Sequence, residues 1–444
     1  MYELENHVMK GSAARFVSRL TTNTLALVLA GGRGERLGAL TDWRTKPAVP
    51  FGGKFRIIDF TLSNCMHSGI RKVCVLTQYK SHSLIQHLSR GWTHMNTERG
   101  DFIDIVPAQQ WTGDDSWFLG TADAVYQSLD IISGYGVEHV LILAGDHVYN
   151  MDYGEMLAEH VNMGADFTVA CMPVPIADAA GQFGVMEAVD SGRIISFEEK
   201  PLMPKAMPGD PYKVLASMGI YIVSSNYLKE RLLEDANDEN SSHDFGRDII
   251  PKALADGDHL LAHQFANPHM GRSPYWRDVG TIDAYYKANL ELISAEPPMD
   301  LYDPSWSTVT YQPQLPPAHF IDGGNMHGIE DSMVSGGCVV IESLLKNSIL
   351  FSNVKVHAGC QLDGVLALPG CEIGAGSRIT NAILDNQCQV PPATVIGEDP
   401  DHDRQHYDVT EEGVVVVNRK LLGQGESYLP GVMPQNPCWP GPVE

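Results

Sequence analysis

A short apolar run, Leu25–Ala30, breaks into Gly31-Gly32-Arg33-Gly34-Glu35-Arg36, and Lys46 follows ten residues after Arg36. Glycines lack a Cβ, so their backbone N–H groups approach an anion closely. Arginine and lysine beside them add positive charge that meets phosphate oxygens. The pattern is that of a loop able to hold a nucleoside triphosphate. Two familiar phosphate loops do not fit it. The Walker loop needs Lys-Ser or Lys-Thr where this chain has Arg36-Leu37, and the dinucleotide fingerprint needs a third glycine where it has Leu37.

Charge singles out the same stretch. Between Gly31 and Phe60 lie Arg33, Arg36, Arg44, Lys46, Lys54 and Arg56 against Glu35, Asp42 and Asp59, in a chain of net charge −24. A basic island in an acidic protein suits a small anion. Nucleic acid would call for a broader basic face, so no nucleic-acid partner is expected.

Further along, His139–Ala144 reads as a second buried strand that ends in Gly145-Asp146-His147. An aspartate at the carboxyl end of a parallel strand points into the crevice that the glycine loop also borders. Mg²⁺ prefers carboxylate and phosphate oxygens and keeps waters, so one or two aspartates suffice. Asp146 is therefore a candidate metal ligand; a helix N-cap is the structural alternative. Asp278, in Tyr275-Trp-Arg-Asp-Val-Gly-Thr281, is a second candidate. Phe197-Glu-Glu-Lys200-Pro201 sets Lys200 behind two carboxylates, where it could meet an anionic substrate while Glu199 bonds hydroxyls. A solvated charged face is the competing reading. Gly120-Thr-Ala-Asp-Ala124 reads as a helix start capped by Thr121. Asp244-Phe245-Gly246 matches a kinase tripeptide, but no kinase glycine loop or catalytic loop accompanies it.

These residues need a rigid scaffold. From Thr24 to about Ala295, the strand-like runs Leu25–Ala30, Val73–Thr77, Val140–Ala144 and Phe167–Cys171 alternate with helix-like stretches such as Thr121–Ile132 and Tyr153–Asn162. Alternation of this kind predicts an α/β fold with a mostly parallel sheet. Residues 1–22 read as a tail. Six prolines between Pro297 and Pro317 predict an extended linker over 296–330. Beyond Asp331, Leu350, Val356, Leu362 and Leu368 recur every six residues, as do Leu384, Val390 and Ile396, with small residues between them. A parallel β-helix has this period, because each flat face takes one inward aliphatic side chain. The expected division is 23–295, a catalytic domain, and 331–444, a repeat domain with a C-terminal extension. Such prisms self-associate through flanks and ends, so an oligomer is expected.

Composition sets the remaining bounds. A chain of 444 residues with 43% hydrophobic content supports two cored domains. No apolar run of membrane-spanning length occurs, and the first residues lack a secretion-signal pattern. Eight scattered cysteines, with Cys65, Cys74 and Cys171 in apolar surroundings, read as reduced thiols of a cytoplasmic protein.

The loop LAGGRGERL with Lys46-Pro47 is similar to the signature of the sugar-1-phosphate nucleotidyltransferases. Longer strings narrow the resemblance: FGGKFRIIDFTLSNC (Phe51–Cys65), GTADAV (Gly120–Val125), LAGDHVY (Leu143–Tyr149), LASMGIY (Leu215–Tyr221), SSHDFGRDIIP (Ser241–Pro251) and YWRDVGT (Tyr275–Thr281). Together they resemble the glucose-1-phosphate adenylyltransferases, from about Thr24 to Val417. The resemblance implies a Rossmann-like mostly parallel sheet followed by a left-handed parallel β-helix of hexapeptide repeats. It implies the reaction ATP + α-D-glucose 1-phosphate → ADP-glucose + pyrophosphate, the committed step of glycogen synthesis, with Mg²⁺ as cofactor. A phosphate oxygen of the sugar phosphate attacks the α-phosphorus in line; being already ionised, it needs no general base.

Roles carry over by motif. Gly31, Gly32, Gly34 and Arg36 would hold the nucleotide. Arg36, Lys46 and Asp146 would be catalytic, and Asp146 and Asp278 would ligate Mg²⁺. Gly184, Glu199, Lys200 and Ser217 would bind glucose 1-phosphate, with Phe118 where relatives often have tyrosine, so that a hydroxyl is lost. The resemblance also implies a homotetramer and allosteric effectors (sugar phosphates, keto acids or AMP) bound between the domains. Arg44, Lys54, Arg56 and Arg419 are the effector candidates. Trp43, Asn386 and Gly423 stand at three positions that are basic in the enteric type, which implies an altered effector response. Two alternatives stay open: a related pyrophosphorylase with another base or sugar, with an acyltransferase activity conceivable at His357 of the repeats, and a silent regulatory subunit of the same fold.

Overall fold

The protein, described by a computed structural model, is placed over residues 14–32, 34–92, 100–108, 117–266, 274–321 and 328–425. The N-terminal half is built on one sheet. Its parallel core runs, in spatial order, β4 (His139–Ala144), β1 (Thr24–Leu29), β2 (Lys72–Thr77) and β3 (Phe102–Pro107). β1 and β4 are apolar nearly throughout and buried on both faces, as parallel strands covered by helices must be. Beside β4 the sheet turns antiparallel: the long strand Lys213–Ser224 pairs with β4, with Phe167–Pro175 and with Val185–Ala188. The expected strands are present, and Phe167–Cys171 continues to Pro175. The expected helix over Thr121–Ile132 is two helices, Thr121–Tyr126 and Leu129–Tyr135. Thr121 does not cap: Gly120 holds the N-cap position, and Thr121 Oγ1 donates instead to Asp244 Oδ2 at 2.9 Å.

Register fixes the site. Leu29 pairs with Ala144, so the glycine loop and Gly145-Asp146 leave the sheet side by side. Gly145 N donates to Leu29 O (3.0 Å), and Thr61 Oγ1 donates to Ala144 O (3.1 Å).

Two expectations about chain ends and linkers need correction. The tail is helical over residues 14–22, because Leu20 and Thr21 find cover; Leu20 joins the core beneath the sheet. The proline-rich segment is extended but tightly held along the helix Ile57–His67. Trp306 Nε1 donates to Asn64 Oδ1 (2.9 Å), Val309 N to Ser63 Oγ (2.8 Å) and Thr310 Oγ1 to Asp59 Oδ2 (2.6 Å). Asp59 is wholly buried and also accepts from His87, Trp92 and the Arg56 amide. Burial alone would raise its carboxyl; His87 and these bonds hold it below its usual range.

The second domain is a parallel β-helix whose first strand is His319–Ile321, earlier than the expected boundary, since His319 already pairs with Val339. Later coils advance by a fixed step: Gln361 pairs with Arg378, and Arg378 with Val395. All seven residues of the six-residue period are buried; six lie in the core of the prism, whereas Leu368 faces outward into the junction and Ala367 takes the inward place beside it. The prism lies against the catalytic domain: one apolar cluster contains Leu37, Leu40, Phe51, Tyr285 and Leu292 together with Ile349, Phe351, Leu368 and Ile383. Tyr286 Oη donates to Gly364 O (2.5 Å) across this junction. Seven described cysteines are buried free thiols. Among the described residues, no helix is long and apolar enough to cross a membrane.

One buried histidine gives a stability prediction. His160 lies in the helix Tyr153–Met163, bonds Thr168 Oγ1 through Nδ1 (2.7 Å) and meets the His139 ring at 5.4 Å. Burial, with His139 and His259 nearby, pushes it down to about 3. The unfolded chain, with His near 6.5, therefore binds more protons than the fold between those values. Stability should fall as pH drops below about 6.5, with a limiting slope of about 1.4 kcal/mol per pH unit from this group. His160→Asn should flatten that dependence in urea melts between pH 6.5 and 5; an unaltered slope would contradict it.

Candidate active site

The crevice at the carboxyl ends of β1 and β4 gathers charge. Lys46 opens a short turn, Lys46–Ala48, and its residue is only 5% exposed. Its Nζ donates to Asp146 Oδ2 at 2.9 Å and to Asp278 Oδ1 at 2.7 Å. Burial opposes the charged ammonium, but the two carboxylates outweigh burial and raise its pKa. Asp146 is the mirror case: burial favours the neutral acid, while Lys46 and His147 hold it well below the usual carboxylate range. Asp278 arrives on the strand Trp276–Asp278, which pairs antiparallel with His147–Tyr149 and so faces Asp146. Two sequence-distant aspartates and the lysine thus meet at one point.

Arg36 stands at the mouth, its side chain 58% exposed. One guanidinium nitrogen is 3.8 Å from Asp278 Oδ2, and another donates to Gln182 Oε1 at 3.1 Å. Gly34 takes φ +66°, a conformation that favours glycine, and a Cβ there would press on Lys46 Cβ at 3.1 Å. Gly31 backs onto Gln78, and Gly32 has open space before it. Arg33 lies outside the described residues.

A second group of candidates lies on and beside the antiparallel strands. Ser217 N donates to Gly184 O (2.8 Å). A Cβ on Gly184 would meet Phe197 Cζ at 2.6 Å and Glu199 Oε2 at 2.8 Å, so only glycine leaves room for that carboxylate. Burial raises the Glu199 carboxyl, and Lys200, 3.6 Å away, counters it. Lys200 itself holds φ +50°, a strained left-handed conformation for a side chain to adopt. Phe118 is half-buried and packs in the cluster that contains Phe197 and Tyr221.

The effector candidates lie mainly toward the junction of the domains. Arg44 is 1% exposed and fully engaged there: it donates to Asp385 Oδ1, to Asn386 Oδ1 (2.9 Å) and to Leu40 O (2.8 Å). Trp43 and Asn386 belong to the same network, through Trp43 Nε1 to Asp385 Oδ2 at 3.3 Å. Arg56 donates to Ser83 O (3.0 Å), and burial with Arg44 nearby pulls it down to about 10. Arg419 donates to Gln387 Oε1 (3.4 Å), and Lys54 is exposed over the Phe55 ring. His357, the residue that left an acyltransferase open, pairs with Glu372 at 2.8 Å.

Three residues near the site escaped the sequence reading. His147 offers a ring nitrogen that, with carboxylate oxygens of Asp146 and Asp278, forms a set of donors all within 4.8 Å of one another. Its place beside Asp146 is the only sequence signal for it. Gln182 orients Arg36, and Gln78 backs the glycine loop. Neither carries a motif of its own. The paired hard oxygens of Asp146 and Asp278 suit a divalent cation such as Mg²⁺.

The comparisons with known proteins agree with this architecture. The family described as "Nucleotidyl transferase" matches residues 25–295, and "GlmU-like, C-terminal hexapeptide" matches 316–417. A protein of Nitrosococcus oceani named glucose-1-phosphate adenylyltransferase is 53% identical over 422 residues, covering 95% of this chain and 99% of its own length. Proteins of the same name from Nitrosomonas europaea (49%, covering 94% and 97%) and Methylococcus capsulatus (53%, covering 93% and 97%) are similarly close. With near-complete coverage at about half identity on top of the shared domain pair, the chain belongs to the glucose-1-phosphate adenylyltransferase family.

Proposed function

We propose that this protein joins ATP and α-D-glucose 1-phosphate into ADP-glucose and releases pyrophosphate. The observation that carries the reading is the convergence of Lys46, Asp146 and Asp278, with Arg36 beside them, at the carboxyl ends of the strands. The chemistry asks for little more than positioning and neutralisation of charge, because the attacking phosphate oxygen is already ionised. Gly31, Gly32 and Gly34 border the triphosphate with backbone groups. Lys46 faces the reacting phosphates, and Arg36, exposed at the mouth, meets the departing pyrophosphate. Glu199 and Ser217 bond sugar hydroxyls, Lys200 takes the sugar phosphate, and Phe118 supplies a ring at the edge of the same pocket. Asp146 and Asp278 would hold Mg²⁺, which supplies charge stabilisation at the phosphates.

The same reading places the protein in glycogen synthesis, in the cytoplasm, as a homotetramer that answers to sugar phosphates, keto acids or AMP. Lys54, Arg56 and Arg419 are the effector-binding candidates that remain, because Arg44 is buried and spends its guanidinium on Leu40, Asn386 and Asp385. Two of the positions that depart from the enteric basic set, Trp43 and Asn386, are committed to Asp385 and Arg44, which supports an altered response to effectors such as fructose 1,6-bisphosphate and AMP.

A pyrophosphate-release screen with ATP, UTP and dTTP against glucose 1-phosphate and other sugar phosphates tests the reading. ATP with glucose 1-phosphate should exceed every other pair by about 10²-fold or more, since a site built to hydrogen-bond polar groups can discriminate by up to about 10⁴–10⁵. Equal release from UTP or dTTP would replace it with a related pyrophosphorylase.

A further inference from the structure

The turn that presents Lys46 is fastened to the other domain. Arg44 stands two residues earlier, about 7 Å along extended backbone. Every guanidinium nitrogen of Arg44 is used: Nε donates to Leu40 O in its own loop, Nη1 to Asn386 Oδ1 and Nη2 to Asp385 Oδ1. The guanidinium also lies over the Trp43 ring at 4.6 Å, and the Trp43 indole reaches the second oxygen of Asp385. The ion pair is almost completely dry, with side chains 1% and 5% exposed.

Asp385 is itself fixed in the prism. Its amide donates to Val417 O (2.8 Å) on the next coil, and its carbonyl accepts from Cys371 Sγ (3.0 Å). Between Arg44 and Lys46, Thr45 is fully buried and its hydroxyl donates to Ala30 O (3.2 Å) at the root of the glycine loop. A rigid carboxylate therefore holds a buried cation, which holds a short buried backbone, which ends in the lysine that bridges Asp146 and Asp278. A lysine placed about 1 Å off its phosphate loses much of its benefit at the reacting centre.

We propose that Asp385 of the β-helix is a positioning residue for Lys46, acting through Arg44. The inference rests on the placement of Lys46 at the reacting centre. It gives the prism a part in the catalytic step: without this carboxylate the segment 35–48 loses its anchor, and Arg44 becomes a buried charge without its counter-ion.

The test combines steady-state kinetics with hydrogen exchange on the full chain. Asp385→Asn should lower kcat tenfold or more while both KM values stay within threefold, because orientation rather than binding is lost. Backbone exchange over residues 35–48 should accelerate, with the strand Thr24–Leu29 unchanged. Arg44→Met with Asp385→Asn should be no slower than Arg44→Met alone, since the two act in series. Asn386→Ala removes one neutral bond to the same guanidinium and serves if the charge variant does not fold; it should move exchange over 35–48 in the same direction and lower kcat a few-fold. Unchanged kcat and unchanged exchange in either variant would overturn the proposal, as would a double variant whose losses multiply. If the wild-type chain releases no pyrophosphate, the reaction assignment fails by itself, and the exchange measurement still decides the anchoring.

Discussion

Asp146→Asn should reduce turnover by roughly 10³-fold or more, the loss expected when a centre that stabilises developing phosphate charge is deprived of one anchor. The substitution keeps size and removes one negative charge. Lys46, now bonded to two carboxylates, would keep only Asp278, and an amide nitrogen could turn a donor toward its ammonium. The Asp146 carboxylate is held ionised by Lys46 against the effect of burial, so the wild-type site carries this charge at any pH near neutrality. Its side chain is about one-third exposed and the strand before it is unaltered, so the fold should persist. Pyrophosphate release at saturating substrates, read beside a thermal melt, checks it. A folded variant with wild-type turnover would remove Asp146 from the mechanism.

Lys200→Ala should raise the KM for glucose 1-phosphate about 10- to 100-fold and leave the KM for ATP within about threefold. A charge-assisted hydrogen bond is worth about 1.5–3 kcal/mol, and each 1.4 kcal/mol is tenfold in affinity. The backbone complicates a single variant, since position 200 holds φ +50°. Lys200→Gly removes the ammonium while relieving that strain. Both variants should therefore show the same rise in KM if the charge is the cause, whereas the glycine variant should melt higher than the alanine one. A KM unchanged in either would free Lys200 from the sugar phosphate. Loss of the ammonium also leaves Glu199, whose carboxyl burial already raises, without its nearest cation, so proton uptake at Glu199 should move to higher pH.

Much of this site could be read before any coordinates. Leu25–Ala30 and Val140–Ala144 read as strands by unbroken apolar character, and a residue just past a parallel strand has few places to point. That places Asp146 near the glycine loop. The six-residue period from Leu350 to Ile396 is nearly as legible, because one inward aliphatic per face is a demand of the backbone; six of its seven residues fill the prism core, and Leu368 packs at the domain junction instead. Asp278 could be nominated from its aromatic neighbours but not placed: its approach to Asp146 depends on a two-strand pairing between Trp276–Asp278 and His147–Tyr149.

The less legible parts are tertiary. Nothing in the order of residues says that the proline-rich segment is fastened by Asp59, Ser63 and Asn64, since each bond joins positions some 240 residues apart. Arg44 read as a basic residue available to an anion, while the fold spends its whole guanidinium on Leu40, Asp385 and Asn386. Thr121 read as a cap on its type alone, but Asp244 from a distant turn draws its hydroxyl away. Propensity and period describe what a segment can do, and long-range partners decide which of those options is taken.

In the proposed reaction the cations and both carboxylates converge on one phosphorus atom. Crystals of the protein grown with Mn²⁺, an ATP analogue whose α,β-bridge cannot be cleaved and glucose 1-phosphate test it through the anomalous signal of manganese. The peak should lie within coordination distance of both Asp146 and Asp278, with Lys46 Nζ and the sugar phosphate beside the α-phosphorus. A peak remote from both aspartates, or an α-phosphorus out of reach of Lys46, would separate these residues from the reacting centre and overturn the mechanism.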